Sequence, residues 1–243
     1  MIPNDHPRYR SLAVREHLAR CAKAGILSLE GLTAHGRGEA FDYLIGERTT
    51  ESALAAERIA AALLVSARNP VISVNGNTAA LAADGIARLQ KASGAAVEVN
   101  LFHRREERIR KITGLLEEQG VRVLKGDAER LLPLSHDRAL CLPGGIGSAD
   151  VVLVPLEDGD RCTALREMGK TVIAIDLNPL SRTAQSASLT IVDEVTRALP
   201  VIARFCSELS PGEAAVLASG FSNRDILRAA LQEIQERILH ALD

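Results

Sequence analysis

Short apolar runs alternate with longer, helix-length segments through the central part of the chain. The runs cover residues 71–74, 96–99, 121–124, 151–154, 172–175 and 189–192. The segments between them, of which 79–91 and 106–119 are the longest, predict helices. Short apolar strands that alternate with helices are typical of βαβ units, in which helices cover both faces of a parallel sheet. The pattern therefore predicts the α/β fold class.

The flanking segments are predicted to be helical. A first helix stops at Gly25, and a second is capped by Thr49 or Thr50 and runs to about residue 67. A polar, glycine-rich stretch, residues 33–47, separates the two. We expect one α/β domain over 1–243, with a helical part at 1–69, the sheet-containing core at 70–208 and a helical tail at 209–243. The apolar face of that tail can pack on the core or on a second copy.

Composition excludes several classes of protein. The chain has 243 residues, 47% of them hydrophobic, which is ample for a packed core. Lys and Arg total 29 and Asp and Glu total 31, so nothing indicates a nucleic-acid partner. The four cysteines form no CxxC pair, which predicts reduced thiols. Without a signal peptide or an apolar run of about 20 residues, we expect no membrane partner and a cytoplasmic location.

The first candidate ligand residues follow the first strand. Ligands of parallel sheets bind beyond the carboxyl ends of the strands. There, Asn75, Gly76 and Asn77 lead into a helix, where free N–H groups can hold an anion. The alternative is an ordinary Asn-Gly turn with a capping side chain.

A basic triplet follows the second strand. His103, Arg104 and Arg105 open the next helix, where positive side chains oppose the helix dipole. An anionic ligand between them would explain their position. The alternative is a solvated helix face.

An acidic loop follows the strand at 151–154. Glu157, Asp158 and Asp160 lie within four residues. Mg²⁺ binds to one or two carboxylates together with ligand phosphates, so Asp158 and Asp160 are candidate metal ligands. The alternative is that an aspartate caps the following helix.

The most unusual local sequence is HGRGE at residues 35–39. Glycines on both sides allow Arg37 to project into a site as a bidentate clamp on phosphate. The alternative is a flexible surface loop. The glycines at 144–147 precede a strand, whereas a dinucleotide-binding loop follows one, and the sequence contains no P-loop.

Six long segments resemble archaeal-type phosphopantothenate synthetases, in unbroken order between residues 6 and 198. They are HPRYRSLAVRE, AHGRGEAFDYLIGE, NPVISVNGN, VEVNLFHRREER, SADVVLVPLEDGDRC and VIAIDLNPLSRTAQSASLTIVDEVTRA. The resemblance implies a Rossmann-like core, a homodimer, and an ATP-dependent ligase that joins 4-phosphopantoate to β-alanine. The implied products are 4′-phosphopantothenate, AMP and pyrophosphate, formed through a phosphopantoyl-adenylate in coenzyme A biosynthesis.

The resemblance also implies roles for individual residues. The implied ATP-binding residues are Arg15, Arg37, Asp176, Leu177, Asn178, Arg182, Thr183, Glu194 and Val195. The phosphate of the acid requires a second cationic pocket, for which His103, Arg104 and Arg105 are candidates beside Asn75 and Asn77. Arg37, Glu39 and Asp158 are the candidate catalytic residues, and His35 is a further candidate base for the amine.

Two parts of the chain depart from the family pattern, residues 141–145 and the tail after residue 208. An NAD-dependent oxidoreductase and a non-catalytic nucleotide-binding regulator are the alternatives. The missing GxGxxG motif argues against the first, and the acidic loop argues against the second.

Overall fold

The computed structural model describes residues 3–6 and 8–241 of the chain. Its main sheet has five parallel strands in the order β2-β1-β5-β6-β7. The strands are β1 (Pro70–Val74), β2 (Ala96–Val99), β5 (Val151–Pro155), β6 (Thr171–Ile175) and β7 (Leu189–Ile191), and a separate antiparallel pair consists of β3 (Glu129–Arg130) and β4 (Leu140–Cys141). The predicted α/β fold with a parallel sheet is confirmed.

Helices surround this sheet on both faces. They are α1 (Tyr9–Lys23), α2 (Leu29–Ile45), α3 (Glu51–Ser66), α4 (Gly76–Ser93), α5 (Glu106–Glu118), α6 (Gly159–Glu167), α7 (Arg182–Ser186), α8 (Val195–Glu208), α9 (Pro211–Ser219) and α10 (Asn223–Leu239). Thr50, one of the two predicted caps, accepts a hydrogen bond from the N–H of Ala53 at the start of α3. No helix within 3–6 and 8–241 is long and apolar enough to cross a membrane.

The side chains of alternate strand residues pack into two apolar layers, one on each face of the sheet. Ile72 and Leu153 lie in a core with the inner faces of α3, α4, α5 and α8, whereas Val152 and Val172 pack on the opposite face beside α6. Both faces of the sheet are buried because most strand residues are apolar, as in other parallel sheets. The helical tail packs through Leu227 of α10, and its last two residues, 242–243, lie outside the described part.

The glycine-rich stretch is helical over residues 33–45, which corrects the expectation of a bend or loop there. These residues belong to α2, which Ser28 caps by accepting a hydrogen bond from the N–H of Gly31. The helix ends at Gly46, whose φ of 99° requires a residue without a Cβ. Two glycines inside a helix cost about 1 kcal/mol each. Packing of Ile45 and Phe41 against the core beside α10 offsets that cost.

The prediction of a strand at 121–124 is wrong. Only Val123 bridges the sheet, opposite Val97. The Gln90 side chain takes the place of a neighbouring strand, because its Oε1 accepts from the N–H of Arg122 at 2.8 Å and its Nε2 donates to the carbonyl of Arg122 at 2.9 Å.

The strand order reverses between β1 and β5. In chain order the sheet reads 2-1-3-4-5, and in such sheets the ligand crevice lies outside the carboxyl ends of the two strands at the reversal. Residues after β1 and after β5 are therefore the ones that should border a site.

A buried glutamate holds the segment that leads into β5. Glu98 accepts hydrogen bonds from the N–H groups of Leu142 (3.0 Å) and Ile146 (2.7 Å). The turn Pro143–Gly147 wraps around this carboxylate. A Cβ on Gly145 would lie 2.1 Å from Glu98 Oε2, whereas a Cβ on Gly144 would meet nothing within 4 Å.

We predict that Gly145→Ala destabilises the protein by about 1–3 kcal/mol, because the carboxylate of Glu98 is fixed by two backbone bonds and cannot move aside. Urea unfolding measures the change. Gly144→Ala is the matched control and should differ from the parent by less than about 0.5 kcal/mol. Equal stabilities for the two variants would show that Glu98 does not anchor this turn.

Candidate active site

A cavity of about 120 Å³ lies between α1, α2, α4 and the start of α8. Its lining includes Ser11, His35, Glu39, Tyr43, Glu194 and Arg197. The cavity thus brings together the N-terminal helices and the segment after β7, which are far apart in the sequence. Several residues of the predicted ATP site line it or adjoin it.

The wall of this cavity carries a pre-formed ion pair. Arg15 Nη2 lies 3.0 Å from Glu39 Oε2, and the hydrogen bond with Glu39 raises the pKa of Arg15. His35 Nε2 is 3.9 Å from Glu39 Oε1, and burial lowers the pKa of His35. The imidazole is therefore uncharged near neutral pH, and its buried Nε2 has no hydrogen-bond partner among residues 3–6 and 8–241.

Arg37 lies on the exposed side of α2, near the end of β6. Burial raises the pKa of Asp176, and the charge of Arg37 acts in the opposite direction, so the two groups interact. Asp176 also accepts hydrogen bonds from Ser181 Oγ and from the N–H of Asn178, the latter at 2.9 Å. The predicted residues Asp176 and Asn178 thus form a tight turn under Arg37.

The acidic loop after β5 contacts the start of α7. Thr183 Oγ1 donates to the carbonyl of Glu157 at 2.8 Å, and a Cβ on Gly159 would lie only 2.6 Å from Cβ of Arg182. Glycine at 159 therefore permits the close approach. This contact places the predicted ATP residues Arg182 and Thr183 directly beside the candidate metal loop.

The three carboxylates of this loop differ in their partners. Glu157 is buried and forms ion pairs with Arg138 and Arg161. Asp160 lies 3.0 Å from His136 Nε2. Asp158 occupies the N-cap position of α6 without a capping hydrogen bond, and burial together with the charge of Glu157 raises its pKa. Within the described residues, no group of three or more His, Cys, Asp or Glu side chains is arranged to hold a metal ion.

The start of α8 completes the far wall. Glu194 caps the helix by accepting from the N–H of Thr196 at 2.8 Å, and Val195 is 2% exposed. These two residues lie where the resemblance places the last part of an ATP site.

The other side of the crevice lies after β1 and β2. Asn75 caps α4 and Asn77 Nδ2 donates to the carbonyl of Gly31 at 2.9 Å, so both amides have protein partners. Arg105 is the N-cap residue of α5, and the N–H of Arg104 donates to Asp137 at 2.8 Å. The structure thus separates the predicted substrate residues from the Arg15–Glu39 wall and places them at the ends of different strands.

Sequence analysis missed three residues on this side. Arg138 and His136 come from an irregular segment that no periodic pattern marks, and Arg108 lies one turn inside α5. No motif surrounds His136 or Arg138, and Arg108 ends the segment VEVNLFHRREER without a signal that separates it from a solvated helix face. Only the folded chain brings them to the strand ends.

A parallel sheet with polar groups at its reversal point, an arginine-bearing cavity on one side and further arginines on the other is the arrangement expected of a protein that binds phosphate-bearing ligands. Comparison with known proteins refines this class. Residues 52–237 match the model of the phosphopantothenate/pantothenate synthetase family.

Full-length relatives carry one name. The 4-phosphopantoate--beta-alanine ligase of Methanospirillum hungatei is 63% identical over 243 residues, which are 100% of both chains. Those of Methanosarcina mazei and Thermococcus kodakarensis are 55% identical (98% of this chain, 95% of the relative) and 46% identical (98% and 93%). The chain belongs to the phosphopantothenate/pantothenate synthetase family, and this membership disfavours the oxidoreductase and the regulator as alternatives.

Behind the cavity lies a charged network. The guanidinium of Arg197 is held by Asp42, with an Nη1–Oδ2 distance of 3.0 Å, and by Asp193, with an Nε–Oδ1 distance of 2.8 Å. Glu57, buried in α3, adjoins it, and burial with the nearby charge of Asp193 raises the pKa of Glu57 to about 9. Folded Glu57 therefore retains its proton at neutral pH, whereas an unfolded chain releases it above about pH 4.3.

We predict that Glu57→Gln makes stability less dependent on pH. Between about pH 4.5 and 9 the folded protein binds a proton that the unfolded chain lacks, so the Glu57 contribution falls by up to about 1.4 kcal/mol per pH unit. The parent should lose more stability than the variant from pH 6 to pH 8.5, measured by urea unfolding. Glu118→Gln, an exposed replacement on α5, should show the same dependence of stability on pH as the parent. A Glu57 variant with that same dependence would contradict the conclusion that folded Glu57 is protonated.

Proposed function

We propose that the protein is an ATP-dependent ligase that joins 4-phosphopantoate to β-alanine and yields 4′-phosphopantothenate, AMP and pyrophosphate, a step of coenzyme A biosynthesis. Full-length similarity to relatives with this ligase name supports the reaction. The observation that carries the proposal in the structure is the two-sided crevice, with separate cationic groups on either side of the strand reversal. Two phosphate-bearing substrates require two such regions.

One side suits the nucleotide. In this proposal Arg15 and Arg37 contact the triphosphate, beside the polar turn that Asp176 and Asn178 form. Arg15 is only partly buried and its partner is Glu39, so a phosphate can replace that partner at small cost. Arg182, Thr183, Glu194 and Val195, which the resemblance assigns to the ATP site, lie at the N-termini of α7 and α8, with Thr183 and Val195 buried.

The proposed chemistry overcomes the poor leaving ability of a carboxylate oxygen. The acid's carboxylate oxygen attacks the α-phosphorus of ATP, and the bond to pyrophosphate breaks. The β-alanine nitrogen then attacks the acyl carbon of the adenylate, and AMP leaves as the amide forms. Arginines that offset the negative charge of the triphosphate let a second anion approach it.

The attacking amine must lose its proton. Glu39, Asp158 and His35 are candidates for the base. His35 is uncharged near neutral pH, and its Nε2 has no hydrogen-bond partner among the described residues. The pKa of Asp158 is raised from its ordinary acidic value toward neutral pH. Both features suit a proton acceptor beside an anionic intermediate.

Asp158 and Asp160 would hold Mg²⁺. The residues fit a hard cation, because the negative charges of Asp158 and Glu157 repel each other and a cation would reduce that repulsion. The loop also contacts the predicted ATP segment at Arg182. When bound, the metal would offset charge on the leaving pyrophosphate. His103, Arg104 and Arg105 remain the proposed groups around the acid, beside Asn75 and Asn77. A homodimer, as the resemblance implies, and a cytoplasmic location, as the sequence predicts, complete the proposal.

We predict that Arg37→Ala lowers kcat/KM for ATP by about ten- to a hundredfold, because one charge-assisted phosphate contact is worth about 1.5–3 kcal/mol. Steady-state assays at limiting ATP measure the change. Arg48→Ala, an exposed replacement just beyond α2, is the matched control and should leave the rate unchanged. Near-parental turnover of the Arg37 variant at limiting ATP would remove Arg37 from the site.

We predict that the enzyme exchanges labelled pyrophosphate into ATP when 4-phosphopantoate is present and β-alanine is absent. Adenylation is reversible and does not need the amine, so exchange reports the first step alone. The complete reaction should release AMP. Release of ADP would overturn the adenylate route, and exchange without 4-phosphopantoate would show that a different acid is activated.

A further inference from the structure

Arg108 projects from the first turns of α5 against the start of α4. Its Nε donates to the carbonyl of Ile26 at 3.1 Å, and a Cβ on Gly76 would lie 2.8 Å from its Nη2. Gly76 is thus the residue that admits the guanidinium. The first N–H groups of α4 have no partner within the helix, and Asn75 caps only that of Thr78.

Arg138 reaches the same strand ends from the opposite direction. Its Nη1 donates to the carbonyl of Asn100 at 3.1 Å, and the N–H of Asn100 donates to the carbonyl of Val74 at 2.9 Å. Asn100 therefore joins Arg138 to the end of β1, two residues before Gly76. Arg108 adjoins Gly76 and Arg138 connects through Asn100 to Val74, so both arginines lie near one short segment of backbone.

The partners of these two guanidinium groups differ. Arg138 is 6% exposed and its Nη1 pairs with Glu157 at 3.1 Å, but its Nε has no hydrogen-bond acceptor in the described part of the chain, since Asp158 Oδ2 is 3.6 Å away. Across residues 3–6 and 8–241, no carboxylate forms an ion pair with Arg108. Burial and the charge of Arg138 lower the pKa of Arg108, whereas the charge of Glu30 acts in the opposite direction. Buried donors without acceptors are rare and call for a ligand or water.

We propose that Arg108 and Arg138, with the first N–H groups of α4, bind the phosphate of the phosphorylated acid. The inference rests on the proposed function and moves the phosphate one turn inward from the predicted triplet, leaving Arg105 at the rim. A phosphate presents three oxygens and close to two negative charges at neutral pH, which matches two guanidinium groups and a helix start. The carboxylate of β-alanine carries one charge and matches them less well.

The geometry also orients the acid. With its phosphate beside Gly76, the acid's other end extends along the crevice toward β5 and the acidic loop, because the strand reversal lies between β1 and β5. The carboxylate then approaches the side that carries the proposed ATP residues. Selectivity for a phosphorylated acid over its unphosphorylated form follows from the same contacts.

The test compares 4-phosphopantoate with pantoate in the parent, Arg108→Gln and Arg108→Lys. Arg110→Gln on the exposed face of α5 is the matched control. In the parent, 4-phosphopantoate should have the higher kcat/KM. Arg108→Gln should lower kcat/KM for 4-phosphopantoate at least tenfold, with little change for pantoate and unchanged KM values for ATP and β-alanine. Arg108→Lys should recover part of the loss, and the control should match the parent.

Isothermal titration calorimetry with 4-phosphopantoate and with pantoate tests the site without turnover, so a failure of the proposed ligase reaction and a failure of this site are separable. The Gln variant should bind 4-phosphopantoate at least tenfold more weakly, while circular dichroism verifies that it is folded. An unchanged affinity would overturn the proposal. A selective rise in the KM for β-alanine would also overturn it and assign the arginine to the carboxylate of the amino acid.

Discussion

The carboxamide of Asn75 joins the two halves of the crevice. Its Nδ2 donates to the carbonyls of Pro155 and Leu156 at 3.1 and 2.9 Å, and its Oδ1 accepts from the N–H of Thr78 at 3.0 Å. One buried side chain therefore caps α4 and fixes the end of β5, where Leu156 has a φ of 53° that few non-glycine residues adopt. Loss of this amide would leave buried polar groups unpaired on both strands.

Separation of the two halves has a chemical consequence. A ligase of this class must hold two highly charged anions near each other without letting their repulsion prevent the approach. In the proposed function the task is divided, since Arg15 and Arg37 lie on α1 and α2, whereas Arg108 and Arg138 adjoin the ends of β1 and β2. Fixed positive groups on both sides need no rearrangement when charge moves between substrates, which is the basis of electrostatic preorganisation.

Local sequence patterns predicted five main-sheet strands because their burial on both faces leaves continuous apolar runs. They failed at 121–124, where the side chain of Gln90 replaces a strand partner, and at 33–47, where tertiary packing overrides the low helix propensity of two glycines. The resemblance indicated the nucleotide side through contiguous motifs. The proposed second phosphate site rests on single arginines: Arg138 comes from an irregular segment, and Arg108, though it ends the recognised segment VEVNLFHRREER, lies one turn past the basic triplet and carries no signal of its own.

The arginines themselves show why charge alone does not identify a ligand contact. Arg161 is 0% exposed and its terminal nitrogens bind Ser73 Oγ and Glu157, so no ligand reaches it and its role is to hold the loop after β5. The side chain of Arg15 is 41% exposed and pairs with a single carboxylate. Water and salt weaken an ion pair that is this exposed. Arg138 lies between these extremes, since its Nη1 fixes the fold while its Nε retains an unused donor. Arg161 Nε also lacks an acceptor among the described residues, so an unused donor indicates substrate recognition only where the side chain can be reached from the crevice.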